Sequence, residues 1–264
     1  MDFFTIYGIV ILAALLGGSL AGLGGFYIIG LRMPFLAVCM AHAAFAGAVL
    51  GQLADIPISL SGFGGALLGS FLLILLLRNK KAEPGGLLGV VFSVMLGLAF
   101  LGIGLNTGAH SKALGLMWGS ILFVNSTQII FMVLILIVFV AFVRRFNEEL
   151  KVLLFSRELA SLLYPEPLIM GILLVLLSSI ITVNLQTVGG ILLFSLLCNP
   201  AIAALQITGS FRAALLTSTA FGALCALGGF FTALVYDLPV GACIVLISSA
   251  LVGICILFGK YKTQ

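Results

Sequence analysis

Residues 31–47 read LRMPFLAVCMAHAAFAG: one arginine, Arg32, and ten residues later a histidine, His42, among small apolar side chains. No charged residue falls between Arg32 and Asp55. A membrane helix that starts at Met33 carries His42 about nine residues in, or roughly 14 Å deep at ~1.5 Å per residue. That is close to the middle of a ~30 Å hydrocarbon core. A titratable ring able to bind a ligand is costly at that depth unless something uses it. The plainer alternative is a packing histidine satisfied by a neighbouring carbonyl.

Composition agrees with a membrane-embedded chain. Of 264 residues, 62% are hydrophobic and 8% are charged, against about 25% charged in a soluble domain. The charges cluster between long uncharged runs: 3–31, 33–54, 56–77, 84–111, 113–143, 167–211, 213–236 and 238–259. Each run is long enough for a membrane helix, and 167–211 is long enough for two. Run 3–31 lacks a basic leader and is too long for a cleavable signal, so it reads as a span. The five cysteines (Cys39, Cys198, Cys225, Cys243, Cys255) lie inside apolar segments and are odd in number, which excludes a secreted disulfide framework. The formal charge of +4 is spread among helix ends and gives no basis for nucleic-acid binding.

The expected fold is an all-α polytopic membrane protein, a single domain over 1–264 with about nine spans. These fall near 5–30, 33–53, 58–77, 85–105, 126–143, 168–186, 188–206, 213–235 and 239–258. The split of 167–211 rests on Asn184, Gln186 and Thr187 followed by Gly189-Gly190, a polar turn. Alternate loops then put eleven of the twelve basic residues on one side and Lys112 alone on the other. By the positive-inside rule the N-terminus faces outside and the C-terminus the cytoplasm. Gly18-x-x-x-Gly22, Gly65-x-x-x-Gly69 and Gly85-x-x-x-Gly89 predict close helix packing.

Two loops stand out. Asn106–Thr127, outside, is amphipathic and holds Trp118, the single tryptophan, at interfacial depth. Inside, 144–167 (RRFNEELKVLLFSRELASLLYPEP) is the longest charged segment. Asn147 is expected to cap a helix whose first turn holds Glu148 and Glu149. Ser156 is expected to cap a second short helix that Pro165 and Pro167 end. Leu153, Leu154, Phe155, Leu159, Leu162 and Leu163 need cover, from the underside of the bundle or from a docked partner.

FYIIGLRMPFLAVCMAHAAFAGAVLG (26–51), GLLGVVFSVMLGLAFLGIGL (86–105), MWGSILFVNSTQI (117–129), FSRELASLLY (155–164), VGGILLFSLLCNPAIAAL (188–205) and DLPVGACIVLISSAL (237–251) occur in this order. Together they resemble, over nearly the whole chain, the membrane permeases of the zinc/manganese/iron-uptake ABC transporter family. The resemblance implies a homodimeric pore in a bacterial or archaeal plasma (inner) membrane, in contact with lipid. It also implies two cytoplasmic ATPase subunits and an extracytoplasmic metal-binding protein. The cytoplasmic pattern Phe-Asp-Pro-Glu-Phe-Ala matches at Phe155, Glu158 and Ala160. With Leu159 these make the expected ATPase-docking residues. Ser156, Arg157 and Tyr164 replace the pattern's Asp, Pro and closing Gly.

One departure bears on the cargo. The pattern's Asp four residues before the histidine is Val38 here, and its Ser is Ala41. Cys39, at i−3, lies on nearly the same helix face as His42, and thiolate with imidazole favours a softer ion such as Zn²⁺ over Mn²⁺. Cys39 is alternatively a small buried hydrophobe. Cys198 and Asn199, beside Pro200, are further metal candidates, since a proline break would leave carbonyls to line a path. His110 and Asp237 are expected at the outer surface, as solvated loop residues or as contacts for a binding protein, the former being the plainer reading.

The expected function is therefore the translocating subunit of an ATP-driven importer of divalent transition metal, with zinc favoured and no bound cofactor. A GxxxxGK[ST] loop is absent from the sequence, so the chain is not itself an ATP-hydrolysing enzyme. The alternatives are a siderophore or cobalamin permease, and a self-contained secondary carrier. The latter normally couples through intramembrane carboxylates, and all eight acidic residues here sit near span ends or in loops.

Overall fold

Helices begin and end close to where the uncharged runs do. The computed structural model describes residues 3–78, 83–105 and 124–259, and every regular element among them is helical. The elements are α1 (Phe3–Gly30), α2 (Leu36–Gly51, continued by a 3-10 turn Gln52–Ala54), α3 (Ile58–Leu77) and α4 (Pro84–Leu105). There follow α5 (Ser126–Arg145), α6 (Asn147–Phe155), α7 (Arg157–Leu163) and α8 (Glu166–Val188). The last are α9 (Gly190–Ile207), α10 (Phe211–Tyr236) and α11 (Val240–Phe258). Among the described residues eight helices are long and apolar enough to cross a membrane, and α9 contributes a shorter apolar stretch, Leu193–Ile207. The chain is an all-α polytopic membrane protein. The expected amphipathic outer segment, with His110, Lys112 and Trp118, falls almost wholly outside the described residues, as do Lys80, Lys81, Lys260 and Lys262.

Three hairpin turns share one device. Arg32, Asp55 and Asp237 sit in the left-handed region at φ 58°, 53° and 52°. In each turn an apolar residue follows, then a proline: Met33-Pro34, Ile56-Pro57 and Leu238-Pro239. The amides of Met33, Ile56 and Leu238 reach back to the carbonyls of Ile28, Gly51 and Ala233, the six-to-one bond of a Schellman cap. The proline then bars the helix from continuing. The α8–α9 break is different: Gly189 adopts φ 92°, ψ 146°, a conformation that only glycine takes readily.

The core forms around α1 and α2. A Cβ on Gly22 would meet the Ser218 carbonyl, and one on Gly18 would meet the Gly222 carbonyl, so α1 and α10 touch backbone to backbone. Ser218 Oγ donates to the Gly22 carbonyl across this seam at 2.6 Å. Gly65 lies equally close to Ala43 and Gly47, closing α3 on α2. By contrast the most apolar 18-residue stretches of α5 and α11 are only 22% buried, against 67% for those of α1 and α2. Their exposed Ile130, Ile137, Leu246 and Leu257 suit contact with lipid, where apolar surface needs no cover.

Five expectations need correction. Helix α2 starts at Leu36 rather than Met33, because Arg32 ends α1 and Pro34 disfavours helical backbone in the residue before it. Pro200 does not break its span but sits inside a continuous α9. Gly89 has open space around it and Gly85 meets only the end of its own neighbour Glu83, so this pair packs against no other helix among the described residues. Asn147 is the first residue of α6 rather than its cap, and its amide donates to Glu148 Oε1 instead. Likewise Pro165 and Pro167 start α8 more than they end α7.

Candidate functional site

With α2 starting at Leu36, His42 lies six residues in, roughly 9 Å from that end and about 14 Å from Gly51. It remains inside the span but closer to the α1–α2 turn than to the middle. Helix α2 is lined with alanine: Ala37, Ala41, Ala43, Ala44, Ala46 and Ala48 are all buried. These small side chains let α3 and α4 approach and leave the imidazole standing above its surroundings.

The ring is held at two points. His42 Nδ1 lies 2.9 Å from the Val38 carbonyl one turn earlier. A carbonyl can only accept, so Nδ1 carries the proton, and in the neutral ring Nε2 keeps its lone pair. Phe92 of α4 packs against the ring in a T-shaped arrangement, centroid to centroid 4.8 Å. Val38 thus contributes through its backbone where a carboxylate side chain would have supplied a donor atom.

His42 opens into a cavity of about 110 Å³ walled by Phe45, Leu96, Ala99, Phe100 and Leu185, among others. It has room for several waters. Among the described residues the imidazole is the only ionisable side chain on its walls. A single nitrogen does not complete a coordination shell. Among the described residues no group of three His, Cys, Asp or Glu side chains is placed to hold an ion. Among the described residues the cavity thus has one side-chain nitrogen donor on its walls.

The other metal candidates lie elsewhere. Cys39 is fully buried between α2 and α4, its Sγ 3.5 Å from the Leu88 carbonyl, and it does not line the cavity. Cys198 is buried in α9. Asn199 Nδ2 donates to Ser248 Oγ at 3.0 Å and Ser249 Oγ at 3.1 Å, tying α9 to α11. Neither residue reaches the His42 cavity. Asp237 is exposed at its turn.

The segment after α5 divides into two parts. On α6, Leu150 and Leu153 are buried against the bundle and Leu154 packs on Gly30. Lys151 bridges Glu148 at 2.7 Å, and its hydrogen bond holds that carboxyl below the usual range. On α7 the Ser156 hydroxyl caps the helix by accepting from the Leu159 amide, as expected. Phe155 is 84% exposed, Leu162 82% and Leu163 59%. Glu158 and Leu159 share this open surface, whereas Ala160 is buried beneath it and serves as the anchor. Periodicity gave no sign of the Phe92 contact or of the Leu185 wall, because both depend on helices distant in the chain.

The profile of the ABC 3 transport family matches residues 4–259. A probable iron transport system membrane protein of Haemophilus influenzae is 26% identical over 257 residues, spanning 96% of this chain and 94% of its own. The zinc transport system membrane protein TroC of Treponema pallidum is 28% identical over 221 residues, 77% of this chain and 72% of its own. A manganese transport system membrane protein, MntC of Halalkalibacterium halodurans, is 27% identical over 261 residues, 93% of this chain and 85% of its own. Among solved structures, PsaBC from Streptococcus pneumoniae in complex with Fab superposes with a TM-score of 0.85. It covers 98% of this chain and 93% of that one at 22% identity, a likeness of fold.

Proposed function

Since this chain belongs to the ABC 3 transport family, a multi-pass plasma-membrane family, we propose that it is the permease subunit of an ATP-driven importer of divalent transition metal ions, with zinc favoured over manganese or iron. Two copies form the pore, a separate ATPase docks on the exposed side chains of Phe155, Glu158, Leu159, Leu162 and Leu163, and an extracytoplasmic protein delivers the ion. The N-terminus faces outside. The observation that carries this reading is His42: an imidazole inside a span, with Nδ1 committed to the Val38 carbonyl and Nε2 left as a ligand beside a small cavity. A packing histidine would need no cavity. A self-contained carrier is the weaker alternative, since the acidic residues of the described spans lie at helix ends or turns, such as Glu166 in the first turn of α8.

The preference for zinc follows from the donors. Imidazole and neutral oxygen bind Zn²⁺ more strongly than Mn²⁺ in the Irving–Williams order, whereas a carboxylate suits the harder ion. Cys39 joins the ligand set only if its side chain leaves the Leu88 carbonyl, so Cys39→Ser serves as a second probe.

The test is metal uptake by the complex reconstituted in liposomes. His42→Ala should lower zinc uptake by on the order of a hundredfold, as loss of a first ligand or its support does, while the ATPase still co-purifies. Wild-type uptake by His42→Ala would remove this reading, and loss of assembly would return His42 to packing. Val38→Asp should move the zinc-to-manganese ratio toward manganese. If manganese already moves as fast as zinc when suitably delivered, the preference for zinc is wrong.

A further inference from the structure

Helix α7 has seven residues, too short to hold its form alone, and Ala160 is its one buried side chain. Its side-chain polar tie to the spanning bundle, among the described residues, is a single ion pair. Arg157 Nε donates to Glu166 Oε1 at 2.6 Å. The two ends differ in burial: the Arg157 side chain is 40% exposed and that of Glu166 is 4% exposed. Burying a carboxylate so far from water is costly unless it is paired, and Arg157 is the cation within reach among the described residues. Glu166 also sits in the first turn of α8, where the helix dipole favours negative charge.

Helix α8 then runs unbroken from Glu166 to Val188 over 23 residues, about 34 Å. Near its far end Leu185 forms part of the His42 cavity wall. One unbroken helix therefore has the docking segment pinned to one end and the cavity against the other. A displacement of α7 that Arg157 transmits to Glu166 moves the whole rod, because a helix does not compress along its hydrogen-bonded axis. Arginine suits this role, since its rigid, permanently charged guanidinium holds a defined geometry to a carboxylate.

We propose that the Arg157–Glu166 pair is the strut that couples the exposed α7 surface to α8 and hence to the wall of the His42 cavity, making both positioning residues for transport. This rests on the reading of Phe155, Glu158, Leu159, Leu162 and Leu163 as the ATPase-docking surface. Neither residue touches the ion or the cavity, so their substitution acts on coupling rather than on binding.

The experiment compares wild type, Arg157→Gln, Glu166→Gln and the double variant in the complete reconstituted complex, measuring zinc imported per ATP hydrolysed. Each single variant should retain the ATPase yet lower that ratio by on the order of tenfold, and the double variant should be no worse than either single one, as for residues that act through each other. Arg157→Lys, which keeps the charge, should recover part of the ratio and guards against a folding artefact. An unchanged ratio in both single variants, or additive losses in the double variant, would overturn the strut. Hydrogen exchange on the permease without its ATPase separates the two readings. Arg157→Gln should speed exchange across 157–163 by about tenfold, and unaltered exchange there refutes the strut. ATPase retained by Leu162→Asp refutes the docking reading instead.

Discussion

At the scale of single residues, glycines inside spans do opposite things. Gly22 faces the Ser218 carbonyl across the α1–α10 seam, and Gly222 faces Gly18 and Gly22 in return. A methyl group at either position would press on backbone, which cannot swing aside as a side chain can. Gly22→Ala should therefore destabilise the permease by about 1–3 kcal/mol, the usual cost of overpacking. A methyl group on Gly97 of α4 would meet nothing within 4 Å, and Gly97→Ala should be neutral or stabilising by up to about 1 kcal/mol through helix propensity. Thermal unfolding in detergent measures both. Equal melting temperatures for the two variants would show that the seam is looser than it looks.

At the scale of elements, α6 and α7 show how an apolar count misleads when the faces are not separated. Leu150 and Leu153 cover the underside of the bundle, while Phe155, Leu159, Leu162 and Leu163 are left to solvent. A charge placed in the second set should act on a partner, and one in the first on the fold. Leu159→Asp and Glu158→Lys should weaken ATPase co-purification from detergent by about 2 kcal/mol or more, roughly thirtyfold, as hot-spot substitutions do. Leu153→Asp should instead lower the yield of folded permease, since it buries an unpaired charge. If the ATPase stays bound in both Leu159→Asp and Glu158→Lys, the open surface belongs to something else.

At the scale of the whole molecule, the proposed orientation rests on charge. Asp55 and Asp237 mark turns on one side of the bundle, and Arg32, Arg145 and Arg212 lie at helix ends on the other. The native cysteines are all buried, so an introduced thiol gives a readable label. Cysteine in place of Asp237 should react with a membrane-impermeant maleimide on intact cells. Cysteine in place of Arg212 should react only after permeabilisation. The reverse pattern would place the N-terminus in the cytoplasm and require an inverted delivery route.

The amino-acid sequence by itself determined the spans, the order of the hairpins, the short helices after α5 and the candidacy of His42. In lipid every backbone group must be satisfied within its own segment, so an uncharged run of the right length is a helix whatever surrounds it. Turns written as Asp-Ile-Pro or Asp-Leu-Pro carry their conformation locally. What the tertiary structure alone decided is how the helices are rotated against one another. It turned Cys39 toward Leu88, set Phe92 on His42, left Gly85 and Gly89 without a partner helix among the described residues and joined Arg157 to Glu166. A helix apolar on every side shows no preferred face, because lipid is as apolar as the protein interior. Rotation is then set by close packing of small residues and a few polar contacts between segments far apart in the chain.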